Sequence, residues 1–236
     1  MIAAKDRLIV ALDVPSVAEA NSLVAKLGDS VGVLKIGLEL LFAGGFNLVR
    51  ALGDQGHDIF LDAKLLDIEA TVERATAAIA RSGARFLTVH ALDAKTLAAA
   101  ARGRGDSNLK LLGVTVLTNL AAPDLIEQGI DHPLPEIVLH RAMLARRAGF
   151  DGVIASGHEA KAVRKAAGAD FLIVTPGVRP RGSDAQDQAR AMIPAEAIAA
   201  GADYLVVGRP ITRAADPRAA ADAIVGEISQ ALAQRP

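Results

Sequence analysis

Eight short apolar runs recur along the chain, at residues 8–12, 33–36, 59–61, 86–89, 111–117, 152–155, 171–174 and 204–207, with Ala-rich helical stretches between them. Most are continuously apolar rather than alternating, which is the pattern of parallel strands covered by helices. Over 236 residues the spacing comes to roughly 30 residues per strand–helix unit, as an eight-fold barrel requires. The chain is therefore expected to form one (β/α)8 TIM barrel over residues 1–236. A doubly wound open sheet uses similar units and is the structural alternative. Hydrophobic residues make up 51% of the chain and aromatics only 3%, so the core has to be built from Ala, Val, Leu and Ile.

A weak internal repeat supports strand–helix alternation. Gly56-His57-Asp58-Ile59, Gly83-Ala84-Arg85-Phe86, Gly149-Phe150-Asp151-Gly152, Gly168-Ala169-Asp170-Phe171 and Gly201-Ala202-Asp203-Tyr204 follow one grammar. A helix ends, glycine takes a left-handed position, a polar residue turns the chain, and a strand begins. The unequal spacing fits repeated helix–strand units rather than a solenoid. No Pro/Gly/Ser linker or low-complexity tract interrupts the pattern. The longest connections, residues 118–133 and 177–191, are of a length that in compact domains is often functional.

Charge and composition narrow the functional classes. Lys and Arg number 26 against 27 Asp and Glu, a net charge of −1, so no basic excess points to nucleic acid. Without cysteine there are neither disulfides nor thiolate metal sites. The N-terminal apolar run breaks at Asp13 without a signal-peptide cleavage pattern. The longest apolar stretch, residues 31–46, contains Lys35 and Glu39 and is too short to span a bilayer. The expectation is a soluble, cytoplasmic protein without a membrane partner.

Barrel active sites lie at the C-terminal ends of the strands, so the polar groups there matter most. Strand one ends in Asp13, and strand two carries Lys35 near its end. Strand three ends in Asp62-Ala63-Lys64, followed by Asp67. Strand five leads into Thr118-Asn119, strand seven into Thr175-Pro176-Gly177-Val178-Arg179, and strand eight into Gly208-Arg209. Residues two apart on an extended strand share a face, which would aim Asp62 and Lys64 together into the barrel mouth. Flanking carboxylates favour an ammonium, and a positioned ammonium can act as a general acid. The bland alternative is a salt-bridged pair closing the rim.

Gly208-Arg209 fits the phosphate site that loops after strands seven and eight often form; the alternative is a surface arginine after a tight turn. Asp13 could instead cap the next helix, with Pro15-Ser16 nearby. Lys35 is harder to dismiss, because an unpaired buried charge is costly. His90 reads as a hydrogen-bonded barrel histidine. Other motifs fail. Arg104-Gly105-Asp106 is a chance adhesion match, Gly103-Arg104-Gly105 does not complete a dinucleotide fingerprint, and His158-Glu159 lacks a zincin's second histidine. The five histidines show no metal-ligand spacing.

Taken in order, these residues resemble the orotidine 5′-phosphate decarboxylase family, nearly end to end. The resemblance rests on Ala11-Leu12-Asp13, Lys35-Ile36-Gly37, Asp62-Ala63-Lys64-Leu65-Leu66-Asp67-Ile68, Gly113 through Thr118, Val174 through Pro180, and Val207-Gly208-Arg209-Pro210-Ile211. The D-x-K-x-x-D core is shared with a wider suprafamily, whereas the whole ordered set is specific. One departure is Ile68-Glu69-Ala70-Thr71, where the family usually has Ile-Pro-Asn-Thr; another is Leu66, where it commonly has His.

The resemblance implies a cofactor-free decarboxylation of orotidine 5′-phosphate to UMP in a homodimer with shared sites. Lys64 would protonate C6 of the pyrimidine. Asp62 would sit beside the departing carboxylate and, with Asp67, hold Lys64. Asp67 and Thr71 would reach the other subunit's site, and Ile68 between them is included among the substrate-binding residues. Asp13 and Lys35 would bind ribose hydroxyls, and Lys35 would complete the charged chain. Thr118 would meet the pyrimidine, with Pro176 also on the substrate. Arg179, Gln188, Arg209 and the Gly208 backbone would hold the phosphate, under a lid formed by residues 177–191. No metal is implied. The nearest rival is a metal-dependent 3-keto-sugar-phosphate decarboxylase or hexulose-phosphate aldolase of the same suprafamily. Those relatives place an acid where Lys35 stands. A catalytically silent nucleotide-binding barrel is the rival of another class.

Overall fold

Each apolar run becomes a strand because it can bury two faces, one against the barrel interior and one against helices. In the computed structural model, which describes residues 2–180 and 192–234, eight parallel strands pair in chain order and close on themselves. They are β1 (Leu8–Ala11), β2 (Val33–Ile36), β3 (Asp58–Leu65), β4 (Phe86–His90), β5 (Lys110–Val114), β6 (Gly152–Ile154), β7 (Leu172–Thr175) and β8 (Tyr204–Val207). β1 pairs with both β2 and β8, so no edge strand is left open. Helices fill every connection, from Val17–Leu27 after β1 to Pro217–Ala233 after β8. The architecture is the expected (β/α)8 barrel, and closure excludes the open doubly wound sheet. Among the described residues no helix is long and apolar enough to cross a membrane.

Two cores follow from the alternation of strand side chains. The barrel interior holds Ile9, Ala11, Val33, Phe60, Phe86, Leu112, Val174, Tyr204 and Val206. Few aromatic rings are available, and three meet here edge to face: Phe60 with Phe86 at 6.0 Å and Phe86 with Tyr204 at 5.3 Å between centroids. Rings of that size fill the interior that shorter aliphatics would leave open. The second core lies between barrel and helices, where Val10, Leu12, Leu34, Ile36 and Leu87 meet Ala20, Leu23, Leu97 and Ile224.

The repeated glycine grammar appears as read. Gly56, Gly83, Gly149, Gly168 and Gly201 all have positive φ. The polar residue after the glycine has a further task. Asp151 accepts the Leu111 N–H at 2.9 Å and pairs with Arg104 at 3.0 Å. Asp203 accepts the Ile173 N–H at 2.9 Å and pairs with Arg164. Each carboxylate thus ties the start of its strand to its neighbour on the N-terminal face, where barrels place stability rather than chemistry.

Two strands differ from expectation. β5 stops at Val114 rather than running to residue 117, because its partner β6 ends at Ile154. The Thr115 hydroxyl then donates to the Ile154 carbonyl at 2.7 Å. β3 is longer than the run at 59–61 and reaches Leu65, with an irregularity: Leu61 faces Leu87, but Leu65 faces Val89. Two extra residues on β3 must be absorbed at Asp62–Lys64.

Packing between β6 and β7 generates one prediction. A Cβ on Gly152 would collide with the Leu172 carbonyl, which is backbone and cannot swing away. Gly152→Ala should therefore lose about 1–3 kcal/mol by overpacking, read as a lower urea midpoint. An unchanged midpoint would show that β7 can yield there.

Candidate active site

Two residues beyond Val33, Phe60 and Phe86, the next inward positions on β2, β3 and β4 are Lys35, Asp62 and Thr88. All three are buried, so a polar layer sits directly on the aromatic plug. Lys35 Nζ lies 2.9 Å from Asp13 Oδ1 and 3.5 Å from Asp62 Oδ2. Lys64 Nζ lies 2.8 Å from the same Asp62 oxygen. A continuous chain of alternating charge therefore runs Asp13–Lys35–Asp62–Lys64 across the barrel mouth. Asp13 is available for it because Ser16, not Asp13, caps the following helix, accepting the Glu19 N–H at 3.2 Å. Gly37 makes room: a Cβ there would stand 2.8 Å from Lys35 Nζ and 3.0 Å from Asp13 Oδ1.

Burial and charge oppose each other at these groups. For Lys35, burial is the largest influence and disfavours the ammonium, but the carboxylates of Asp62 and Asp13 outweigh it and hold its pKa above the ordinary lysine value. For Asp62, burial again acts first, raising the pKa; Lys35, Lys64 and hydrogen bonds from Lys64 and Thr88 together bring it below the ordinary carboxylate value. His90, half-buried at the end of β4, is pushed down by burial and then by Lys64 and Arg141, which favours a neutral imidazole.

Lys64 does not reach this position by simple strand alternation. Its φ is 47°, and it is the only non-glycine residue with positive φ among the described residues. Such a conformation costs on the order of 1 kcal/mol or more for a side chain of this type. Its N–H donates to Thr88 Oγ1 at 2.9 Å, and the Thr88 hydroxyl donates to Asp62 Oδ1 at 2.9 Å.

The opposite wall of the same cavity is built from β5, β7 and β8. The cavity has a volume of about 450 Å³ and takes in Asp13, Lys35, Asp62, Lys64, Thr118, Pro176, Arg179, Gly208 and Arg209. Arg209 opens the short helix Arg209–Thr212 directly after β8, with Gly208 before it. Arg179 is buried and is brought in by the turn after β7. Its backbone N–H donates to the Met192 carbonyl at 3.0 Å, and Val178 bridges Met192, so the two described ends of this loop lie side by side. Gln188 and most of the expected lid fall within 181–191, outside the described residues.

Asp67, Ile68 and Thr71 do not line this cavity. Asp67 is exposed, and its Oδ1 accepts the Ile68 N–H at 2.6 Å. Ile68 is 72% exposed. With Glu69-Ala70 in this segment, the helix Glu69–Ala80 starts at Glu69, a first-turn position that proline would also favour. Glu69 suits the helix N-terminus electrostatically and lies 3.7 Å from Arg102.

Thr88, bonded to both Lys64 and Asp62, carries in the sequence only the signal that singles out Lys35, a polar residue inside an apolar run. Phe60, Val114, Val116, Ile154 and Val206 give the cavity an apolar floor. Their role was invisible because they look like any strand residue.

Fold and site together define an α/β-barrel protein whose charged cluster occupies the C-terminal mouth, the face on which barrel enzymes carry their active sites. A profile described as "Orotidine 5′-phosphate decarboxylase / HUMPS family" matches residues 6–224, and the chain belongs to that family. A Bradyrhizobium sp. (strain BTAi1) protein named orotidine 5′-phosphate decarboxylase is 53% identical over 232 residues, covering 98% of this chain and 95% of that one. One of the same name from Caulobacter sp. (strain K31) is 52% identical, covering 97% and 99%. A crystal structure of orotidine 5′-phosphate decarboxylase from Lactobacillus acidophilus superposes with a TM-score of 0.83 at 40% identity, covering 94% of this chain and 99% of that one.

The pKa directions set a stability prediction. Asp62 is lowered on folding, so its contribution is complete above the ordinary value of 3.8 and is lost as pH falls through its lower folded value. Lys35 is raised, so its contribution is complete below 10.5 and is lost as pH rises through its higher folded value. At pH 7 both are present. Lys35→Met should then cost about 2–3 kcal/mol, less than a fully broken buried pair because Lys64 remains on Asp62. The gap to wild type should narrow in acid, as Asp62 in the variant takes up a proton earlier. Urea unfolding at neutral and acid pH measures both; a gap independent of pH would assign the loss to packing.

Proposed function

We propose that this chain decarboxylates orotidine 5′-phosphate to UMP without a cofactor, using Lys64 as the proton donor. The observation that carries the reading is the Asp13–Lys35–Asp62–Lys64 chain in one cavity with Arg179 and Arg209. The relatives' shared name supports the same substrate. Breaking the bond from C6 to the carboxylate leaves its electron pair on C6 as CO2 departs. The Lys64 ammonium gives a proton to that carbon and regains one from solvent. Fixed charges set in place before the reaction stabilise the developing carbanion.

The remaining residues divide along the substrate. Asp62 lies beside the departing carboxylate and orients Lys64. Asp13 and Lys35 bind the ribose hydroxyls. Thr118 and Pro176 meet the pyrimidine. Arg179, Arg209 and the Gly208 backbone hold the phosphate, together with Gln188. Arginine suits this end because its forked donors match phosphate oxygens. Binding energy gathered there, far from C6, can be used to order the reacting end. The metal-dependent rival is disfavoured by Lys35: its ammonium occupies the point where Asp13 and Asp62 converge.

The same reading makes the enzyme a homodimer with shared sites. Asp67, Ile68 and Thr71 stand outside their own chain's cavity, and exposed apolar side chains occur on the same segment and on its neighbours. Phe42 is 86% exposed, and Leu38, Leu66, Leu92 and Ile68 are also exposed, all on segments following β2, β3 or β4. A two-fold contact through these segments would bury those side chains and offer each Asp67 to the neighbouring mouth. A phosphorylated nucleotide does not cross membranes unaided, which puts the enzyme in the cytoplasm with its substrate.

Two experiments test this. Loss of the orotate chromophore in EDTA should follow mixing with wild-type protein and be abolished in folded Lys64→Ala; normal activity in that variant would remove Lys64 from its role. Mixing Lys64→Ala with Asp67→Ala should restore activity as subunits exchange. About half the dimers would be mixed and each would carry one intact site, so about a quarter of sites recover. Background activity from mixed dimers verified by native mass spectrometry would place Asp67 in its own chain's chemistry.

A further inference from the structure

The Asp62–Lys64 pair is held by a group outside the charged chain. Thr88, on β4, is fully buried and faces the barrel interior. Its hydroxyl makes two bonds of different kinds: it accepts the backbone N–H of Lys64 at 2.9 Å, and it donates to Asp62 Oδ1 at 2.9 Å. A hydroxyl has one proton to give, so donation to the carboxylate leaves its lone pairs for the Lys64 N–H. The two roles are compatible and fix each other.

We infer that Thr88 is a positioning residue for the decarboxylation, setting both the backbone of Lys64 and the rotation of the Asp62 carboxylate; this rests on the assignment of Lys64 as proton donor. At Lys64 the backbone is left-handed, with φ 47°, a conformation that a lysine adopts only when its surroundings impose it. The Thr88 bond to its N–H is a restraint from the neighbouring strand at the point where β3 absorbs its extra residues. At Asp62, engagement of Oδ1 by Thr88 turns Oδ2 toward Lys64 Nζ at 2.8 Å and Lys35 Nζ at 3.5 Å. Without the hydroxyl, the carboxylate can rotate, Lys64 loses its backbone partner, and the ammonium is no longer aimed. Thr88 does not line the cavity, so it acts through Lys64 and Asp62 rather than on the substrate.

The test separates aiming from packing. Thr88→Val keeps the branched shape and removes the hydroxyl, whereas Thr88→Ser keeps the hydroxyl and removes a methyl. Thr88→Ala replaces the valine variant if thermal melts show that it does not fold. Expected is a fall in kcat of about tenfold to a hundredfold for Thr88→Val, as for other groups that orient a reacting residue. KM and the Kd for UMP should stay within about threefold, and Thr88→Ser should keep most of the wild-type kcat. A kcat for Thr88→Val within about threefold of wild type would overturn the inference. So would Thr88→Ser as slow as Thr88→Val, or equal losses of kcat and UMP affinity, since both would mean packing. Wild-type protein inert toward orotidine 5′-phosphate would overturn the assignment of Lys64, and this inference with it. Turnover by wild type with an unaffected Thr88→Val removes the inference alone.

Discussion

A carboxylate buried between two ammonium groups is the constraint on which the upper half of this barrel depends. Asp62 stands at the inward position directly above Phe60, where a barrel would ordinarily place another aliphatic residue. An ion there is costly in isolation, so its neighbours must supply charge and hydrogen bonds. Lys35 on β2, Lys64 on β3 and Thr88 on β4 all turn to it. Three adjacent strands are therefore specified by one residue. The irregular end of β3 and the left-handed backbone at Lys64 become intelligible as consequences of that demand.

The barrel separates this from its stability. Below the polar layer, Phe60, Phe86 and Tyr204 fill the interior. At the N-terminal face, Asp151 and Asp203 tie neighbouring strands together and pair with arginines from the surrounding helices. Nothing in those contacts bears on the charged mouth. The arrangement lets strain accumulate at Lys64 without threatening closure, because the eight-strand ladder is complete beneath it. The ion pairs differ in their exposure to water: the Asp62 and Lys35 side chains are only 11% and 9% exposed, whereas Asp13 is 54% exposed, so the Lys35–Asp62 contact is the least screened by solvent.

Much of this was legible from the chain. Eight apolar runs and five glycine turns announce the barrel because closed parallel sheets need buried strands at regular intervals. Lys35, Asp62 and Lys64 stand out because charge inside apolar runs demands a reason, and Arg209 because it follows the last strand. The extents of β3 and β5 were not legible. They depend on where the partner strands end, which no local pattern encodes. Thr88 escaped because threonine is at home in strands, and only its two partners distinguish it from a packing residue.

The sequence by itself determined the fold class, the end of the barrel that carries the charges and the family, since periodicity and residue type are local properties written directly in the chain. Tertiary structure decided how those charges meet. It set Asp13 against Lys35 rather than against a helix N-terminus, divided the two oxygens of Asp62 between Thr88 and the lysines, and turned Asp67 away from its own cavity. The physical reason is that hydrogen bonds and ion pairs depend on distances of a few tenths of an ångström, and those distances exist only after strands remote in sequence have closed into one barrel.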